Sequence, residues 1–189
     1  MRNIILSIIM LSTLAACSKK MPEREIRRVY GEQIVMPSTL RYVNGALLEY
    51  GYSDDAMATL LIWYDSTQCS GCKLSGINSL EHFVKFCKDT ATQANVDIVF
   101  SPPVDIQEAF EDAVENVKLN YPIYIDFIGA FAKQNRKLPK TEQLHTFLLD
   151  ATGRVVLVGD PTQNPKLWNL YKKNIEILCN NNGVIPSNN

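Results

Sequence analysis

Apolar residues along this chain fall into two patterns, unbroken runs of strand length and stripes at spacings of three and four, and the two alternate. Ala58 to Tyr64 (Ala-Thr-Leu-Leu-Ile-Trp-Tyr) is a continuous run, which predicts a strand buried on both faces. From Ser70 to Lys88, Leu74, Ile77, Leu80, Val84 and Cys87 recur at helical spacing. Asn95 to Phe100 predicts a second buried strand, stopped by Ser101-Pro102-Pro103, and Ile106 to Val117 carries Ile106, Phe110, Val114 and Val117 on one helical face. Tyr121 to Ile125 reads as a strand, followed by a short helical stretch around Phe127 to Lys133. Gln143 to Leu149 and Arg154 to Gly159 flank Asp150-Ala151-Thr152-Gly153, a hairpin whose turn carries the Asp and Gly such turns need. Asn164 to Leu178 closes the pattern as a helix through Leu167, Leu170, Tyr171 and Ile175. Ahead of all these, Glu32 to Tyr52 holds short alternating stretches broken by Pro37 and Asn44-Gly45, the mark of a leading hairpin.

The order hairpin, β, α, β, α, β, short α, β-hairpin, α predicts an α/β domain. Its sheet is mixed, with helices on both faces, an N-terminal β-hairpin extension and Ala58 to Tyr64 as the central parallel strand. With 46% hydrophobic and 21% charged residues in a chain of 189, one domain with a real core is expected, over residues 31–180. No period of 20 to 50 residues repeats, and the Asn-rich end, residues 181–189, reads as a loose tail. The formal net charge of −1 provides no polycationic field, so nucleic acid is excluded as a partner.

The first 16 residues are read as a segment removed before folding. Met1 and Arg2 precede an apolar run at residues 4–11 that is too short to span a bilayer stably. Leu14-Ala15-Ala16-Cys17 follows and resembles the lipobox of bacterial lipoproteins. That resemblance implies a diacylglycerol on the Cys17 thiol, cleavage before it and acylation of the new amino end. Several acyl chains anchor stably where one binds only marginally. Residues 17–30, lipid-modified and then polar, are read as a tether. By the same resemblance, Ser18 in place of Asp favours the outer membrane, with the domain facing the periplasm, where disulfides are chemically allowed.

Five cysteines (Cys17, Cys69, Cys72, Cys87, Cys179) are too few for a disulfide-built scaffold, yet two stand three apart. Cys69-Ser70-Gly71-Cys72 begins where a buried strand gives way to an amphipathic helix. Unpaired N–H groups there stabilise a thiolate, the nucleophile in thiol–disulfide exchange. Cys69 is therefore expected exposed and acidic, and Cys72 one turn in and shielded by Leu74. The spacing lets Cys72 attack a mixed disulfide formed at Cys69.

From Ala58 to Leu178 the chain resembles the thioredoxin-like superfamily, and most closely its extracytoplasmic, membrane-tethered branch related to cytochrome c maturation proteins. The residues that carry the resemblance are Leu60-Leu61-Ile62-Trp63-Tyr64 before the CxxC, Tyr121-Pro122-Ile123-Tyr124-Ile125-Asp126, and Thr146-Phe147-Leu148-Leu149-Asp150 with Ala151-Thr152-Gly153-Arg154-Val155-Val156. It implies a thioredoxin-like fold and a thiol:disulfide oxidoreductase in which Cys69 attacks, Cys72 resolves and the two form a redox disulfide. It also implies exported protein thiols or disulfides as substrates, a membrane electron donor, and no cofactor or bound metal. Gln68 stands where the family has an aromatic before the first cysteine, and Gly71 where it has a proline before the second. Leu144, beside His145, stands where a cis-proline shapes the substrate groove. Gln68, Leu144 and His145 are thus the groove candidates, and Leu144 is expected trans, since a non-proline cis bond costs about 3 kcal/mol.

His145 is the one histidine expected near the dithiol, as acid/base or metal ligand, or else as an ordinary surface or core histidine. His82 falls off the apolar face of its helix, and Cys87 falls on it as a small core residue. Cys179 pairs with Cys87 or stays free. Three other functions compete. Ser66, three before Cys69, is half of a peroxiredoxin-like peroxidase pattern whose proline position is Ile62. Cys69, Cys72 and His145 form a soft donor set for copper delivery, without the CxxxC spacing of known copper chaperones of this fold. The fourth function is a non-catalytic binding module with a structural Cys69–Cys72 bond.

Overall fold

The computed structural model describes residues 20–43, 55–91, 94–117 and 122–186. In chain order the elements are α1 (Lys20–Val29), β1 (Arg41–Val43), β2 (Ala58–Tyr64), α2 (Ser70–Ser75), a 3-10 turn (Ile77–Leu80), α3 (Glu81–Ala91) and β3 (Ala94–Phe100). There follow α4 (Gln107–Asn116), β4 (Ile123–Ile125), α5 (Ala130–Gln134), β5 (Thr146–Asp150), β6 (Val155–Val158) and α6 (Pro165–Asn180).

The strands form one sheet in the order β1-β4-β3-β2-β5-β6. β2 lies parallel to β3 and antiparallel to β5, and is the central strand its apolar run predicts. Alternation along β2 divides the core. Leu60 and Ile62 face one layer with Leu74, Phe83, Phe110 and Tyr171, covered by α2, α3, α4 and α6. Leu61 and Trp63 face the other, with Val29, Phe131, Leu144 and Phe147, covered by α1 and α5. A βαβ unit joined to an antiparallel hairpin and a closing helix, with helices on both faces, makes the α/β domain with a mixed sheet that the order of elements predicts.

Four expectations meet a different outcome. The helix from Ser70 to Lys88 is broken: α2 stops at Gly76 and a 3-10 turn intervenes before α3. Glycine weakens a helix interior by about 1 kcal/mol, and its N–H here closes onto the Cys72 and Leu74 carbonyls. Of the leading hairpin, β1 lies at the sheet edge beside β4, while Asn44-Gly45 and the limb beyond fall outside the described residues. Glu32 to Ile34 lies instead on the opposite edge. Gly31 N–H bonds Val155 O (2.8 Å), Val155 N–H bonds Glu32 O (2.9 Å) and Gln33 bridges Arg154, which covers an edge that β6 would otherwise leave unpaired. Gly31, at φ 77°, makes the turn out of α1 that only glycine adopts freely.

The stretch read as a tether contains α1, and that helix is docked, with Val29 fully buried and Ile26 packed beside it. Residues 181–186 also stay on the domain. The Gly183 N–H bonds Leu178 O (2.8 Å), its carbonyl accepts Ala151 N–H (3.1 Å), and Ile185 packs on the core. A Cβ at position 183 would stand 2.2 Å from that of Ala151.

Candidate active site at the end of the central strand

β2 delivers the chain to a tight turn. Asp65 Oδ1 accepts the Thr67 N–H (2.9 Å) and hydroxyl (2.6 Å), and Gln68 N–H bonds Asp65 O (3.2 Å). Cys69 then caps α2, its Sγ accepting the Cys72 N–H at 3.3 Å, and Cys69 and Cys72 are joined as a disulfide with Cα atoms 5.3 Å apart. Ser70 and Leu74, four apart, are the residues of α2 that turn inward. Cys69, Gly71 and Cys72 consequently face solvent. The expected shielding of Cys72 is therefore absent, because the buried stripe of α2 runs through Ser70 rather than through the second cysteine. The Ser70 hydroxyl is buried with no hydrogen-bond partner among the described residues.

His145, 3% exposed, lines the same hollow as Cys72. Its Nε2 lies 2.9 Å from the Pro139 carbonyl and its Nδ1 lies 3.1 Å from Gln68 Nε2. A carbonyl only accepts, so Nε2 carries the proton and Nδ1 accepts from the Gln68 amide, which places the ring in its neutral Nε2–H form. Trp63 lies against the ring with centroids 4.4 Å apart, and the nearest acid, Asp65, has Oδ2 at 3.9 Å from Nδ1, beyond hydrogen-bond reach. Trp63 donates to Ser101 Oγ (3.0 Å), and Ser101 donates to Asp126 (3.4 Å), which caps α5 through the N–H groups of Ala130 (2.9 Å) and Phe131 (2.8 Å).

A groove of about 580 Å³ opens beside Cys72, lined by Gln68, Lys73, His145, Phe83 and Pro161 among others. Its rim carries a Lys73–Glu142 ion pair at 3.3 Å. Two of the three groove candidates thus meet here, and the third does not. Leu144 is buried in the α1/α5 layer, at the end of a 3-10 turn over Glu142–Leu144, and no cis peptide occurs among the described residues. A second hollow of about 510 Å³, on the other side of the Asp65 turn, has Ser66, Pro103, Val104 and Ile128 on its wall.

Cys17 lies outside the described residues. His82 is exposed, bonded through Nδ1 to Ser79 O (3.0 Å). Cys87 is buried and Cys179 half-buried, and both are free thiols. Burial, and then the neighbouring Cys179, push the Cys87 thiol up to about 12. Burial alone carries the Asp97 carboxyl to about 7, its Oδ1 having no partner among the described residues, but Asp97 lines neither hollow. Among the described residues, no three His, Cys, Asp or Glu side chains are grouped to hold a metal ion. His145 has both ring nitrogens occupied by protein partners, which argues against its use as a copper ligand. The residues that hold this site from afar, Pro139 above all, have no local signature in the sequence.

No protein-family profile and no curated protein matches the chain. Solved structures do resemble it. One is the thioredoxin domain of a thiol-disulfide oxidoreductase from Bacteroides vulgatus (14% identity, TM-score 0.46, covering 77% of this chain and 97% of that one). Another is the exposed lipoprotein thioredoxin of Streptococcus pneumoniae (16%, 0.45, 72% and 99%). A third is the Xanthomonas campestris bacterioferritin comigratory protein (16%, 0.42, 66% and 80%). Likeness at this level leaves the chemistry of Cys69 and Cys72 to their own surroundings.

Proposed function

We propose that this protein is a thiol:disulfide oxidoreductase of the cell envelope, held by lipid on Cys17 at the periplasmic face of the outer membrane. Its substrates on this reading are exported proteins, and a membrane donor supplies its electrons. One observation carries the proposal: the Cys69–Cys72 disulfide is exposed on the first turn of α2, and the first sulfur already receives the second cysteine's N–H. The same N–H stabilises negative charge when Cys69 becomes a thiolate. In the reduced protein the Cys69 thiolate attacks a substrate disulfide, forming a mixed disulfide and expelling one substrate thiolate. The Cys72 thiolate then attacks Cys69 Sγ, restoring the Cys69–Cys72 bond and releasing the second substrate thiolate. Two electrons pass from the dithiol to the substrate, and the donor returns them. Among the described residues no helix is long and apolar enough to cross a membrane, and the anchor proposed is acyl.

The test is trapping. Cys72→Ser retains the first attack and loses the second, so it accumulates mixed disulfides through Cys69. Cys69→Ser captures few or none, and both variants lose insulin reduction. Traps forming through Cys72, or a wild type that reduces nothing and captures nothing, point instead to a structural disulfide in a binding module. Separately, Cys17→Ala is expected to leave the membrane fraction, and its retention there removes the lipid anchor from the proposal.

A further inference from the structure

The wall of the groove that holds His145 is itself held by the N-terminal helix. Residues 137–141 have no regular structure, and their main chain is tied to α1 from a sequence distance of 109 to 116 residues. Arg28 Nη2 donates to Leu138 O at 2.7 Å and its Nε to Lys137 O at 3.2 Å. Glu25 Oε2 accepts the N–H groups of Lys140 and Thr141, each at 3.0 Å. The Pro139 carbonyl that accepts the His145 Nε2–H lies between these two clamps. It also shares one peptide plane with the Lys140 N–H, so Glu25 and His145 grip opposite edges of a single rigid unit. A carboxylate on the N–H edge polarises that unit and strengthens its carbonyl as an acceptor.

We propose that Glu25 and Arg28 are positioning residues for the dithiol. Through the Pro139–Lys140 peptide they hold His145 in its Nε2–H form, which keeps Nδ1 open to the Gln68 amide and sets the turn immediately before Cys69. The inference rests on the oxidoreductase reading for its consequence, but the coupling itself is a matter of hydrogen bonds. Partial burial raises the Glu25 carboxyl, yet the Thr141 N–H and hydroxyl, the Lys140 N–H and the Arg28 guanidinium together take it below the ordinary value, so the clamp is charged at neutral pH. Without Glu25 the peptide plane is free to turn, the Nε2–H loses its acceptor, and the proton is no longer confined to Nε2.

The experiment compares the full-length chain in detergent micelles with its Glu25→Ala, Glu25→Gln and Arg28→Ala variants, by imidazole ¹⁵N shifts of His145 and by the alkylation rate of reduced Cys69 across pH. The wild type shows a single Nε2–H pattern. Glu25→Ala shifts it toward a mixture and changes the Cys69 rate by about threefold or more. Glu25→Gln, which keeps an oxygen acceptor, restores most of the wild-type pattern, and a purely structural role would not track the acceptor in this way. An unchanged His145 pattern in a folded Glu25→Ala overturns the proposal. Should that variant not fold, Arg28→Ala decides by the same two readouts, both changing if the clamp acts and neither if it does not. If the wild type neither reduces insulin nor captures partners while the His145 pattern still follows Glu25, the oxidoreductase reading falls and the coupling stands. If the wild type is active and the pattern ignores Glu25, the coupling falls alone.

Discussion

The two faces of the sheet are built by different rules. On one, α2, α3, α4 and α6 cover a layer of Leu, Ile, Val and Phe, and aromatic rings meet edge-on there, as Phe83 and Phe86 do with Trp168. One buried polar group there, the Tyr171 hydroxyl, is shared between the carbonyls of Thr146 (3.0 Å) and Gly159 (2.9 Å). On the other face α1 and α5 cover an apolar patch threaded by polar groups: the Trp63–Ser101–Asp126 series, Asn135 bonded to both N–H and C=O of Val35, and the Gln68–His145–Pro139 series. The first face supplies burial without direction. The second supplies directed bonds, which fix side chains to within the tolerance a reaction needs. The dithiol sits at the edge where the two meet, with the inward side of α2 on the first face and the Gln68 turn on the second.

The sharpest way to break this contrast is thiol reactivity. Cys87 belongs to the apolar face, and with its thiol pushed up to about 12 only about one molecule in 10⁴ is thiolate at pH 8. In the reduced, folded protein Cys69 should alkylate several orders of magnitude faster, and Cys87 should react only on unfolding. Comparable rates for the two would mean that the apolar face is open. Because the folded value is the raised one, the stability that this thiol contributes is intact below about pH 8.5, where the unfolded thiol ionises, and is lost as pH climbs toward 12.

A second test concerns the acid the polar face leaves unsatisfied. Asp97 pairs in register with Leu61 and so faces the α1/α5 side, where burial raises its carboxyl from 3.8 to about 7. The folded state keeps a proton that the unfolded chain surrenders near pH 4, so stability present in acid is lost as pH rises through 7. Asp97→Asn should have little effect at pH 4 and stabilise by about 4 kcal/mol at pH 8, read as a pH-dependent difference in denaturation midpoints. An equal effect at both pH values would show that Asp97 is paired in the folded state. The smallest effect is expected from Tyr171→Phe, which removes one donor from two buried carbonyls. It should cost about 1 to 2 kcal/mol and leave the His145 pattern unchanged, since that hydroxyl belongs to the other face. A shift in the His145 signals would show that the faces are coupled.

Legibility in the sequence follows the same division. The apolar face could be read because helices and strands announce their buried side by period. Ala58–Tyr64 is the strand its run predicts, and Phe110 and Val114 face the core as their spacing requires. The CxxC could be read because its position between an apolar run and a helical stripe is local. Gln68 and His145 were recognisable one by one, yet nothing in either segment says that their side chains meet at 3.1 Å. The inward turn of Ser70 and the outward turn of Cys72 have no such signal, because a helix of six residues broken at Gly76 takes its facing from what it packs against rather than from a long stripe.

By itself, the order of apolar runs and stripes determined the α/β class, the central strand and the place of the dithiol at the head of a helix, since burial and backbone pairing act over a few residues and leave a period behind. Only the tertiary structure decided that α1 belongs to the domain, that Glu32 to Ile34 closes one edge of the sheet while Arg41 to Val43 lies on the other, and that Glu25 reaches His145 through the Pro139–Lys140 peptide. The hydrogen bonds that Glu25 and Glu32 make among those contacts join residues more than 100 positions apart, 116 for Glu25 and Thr141, and a hydrogen bond requires only that two groups meet, without any pattern in the sequence around either of them.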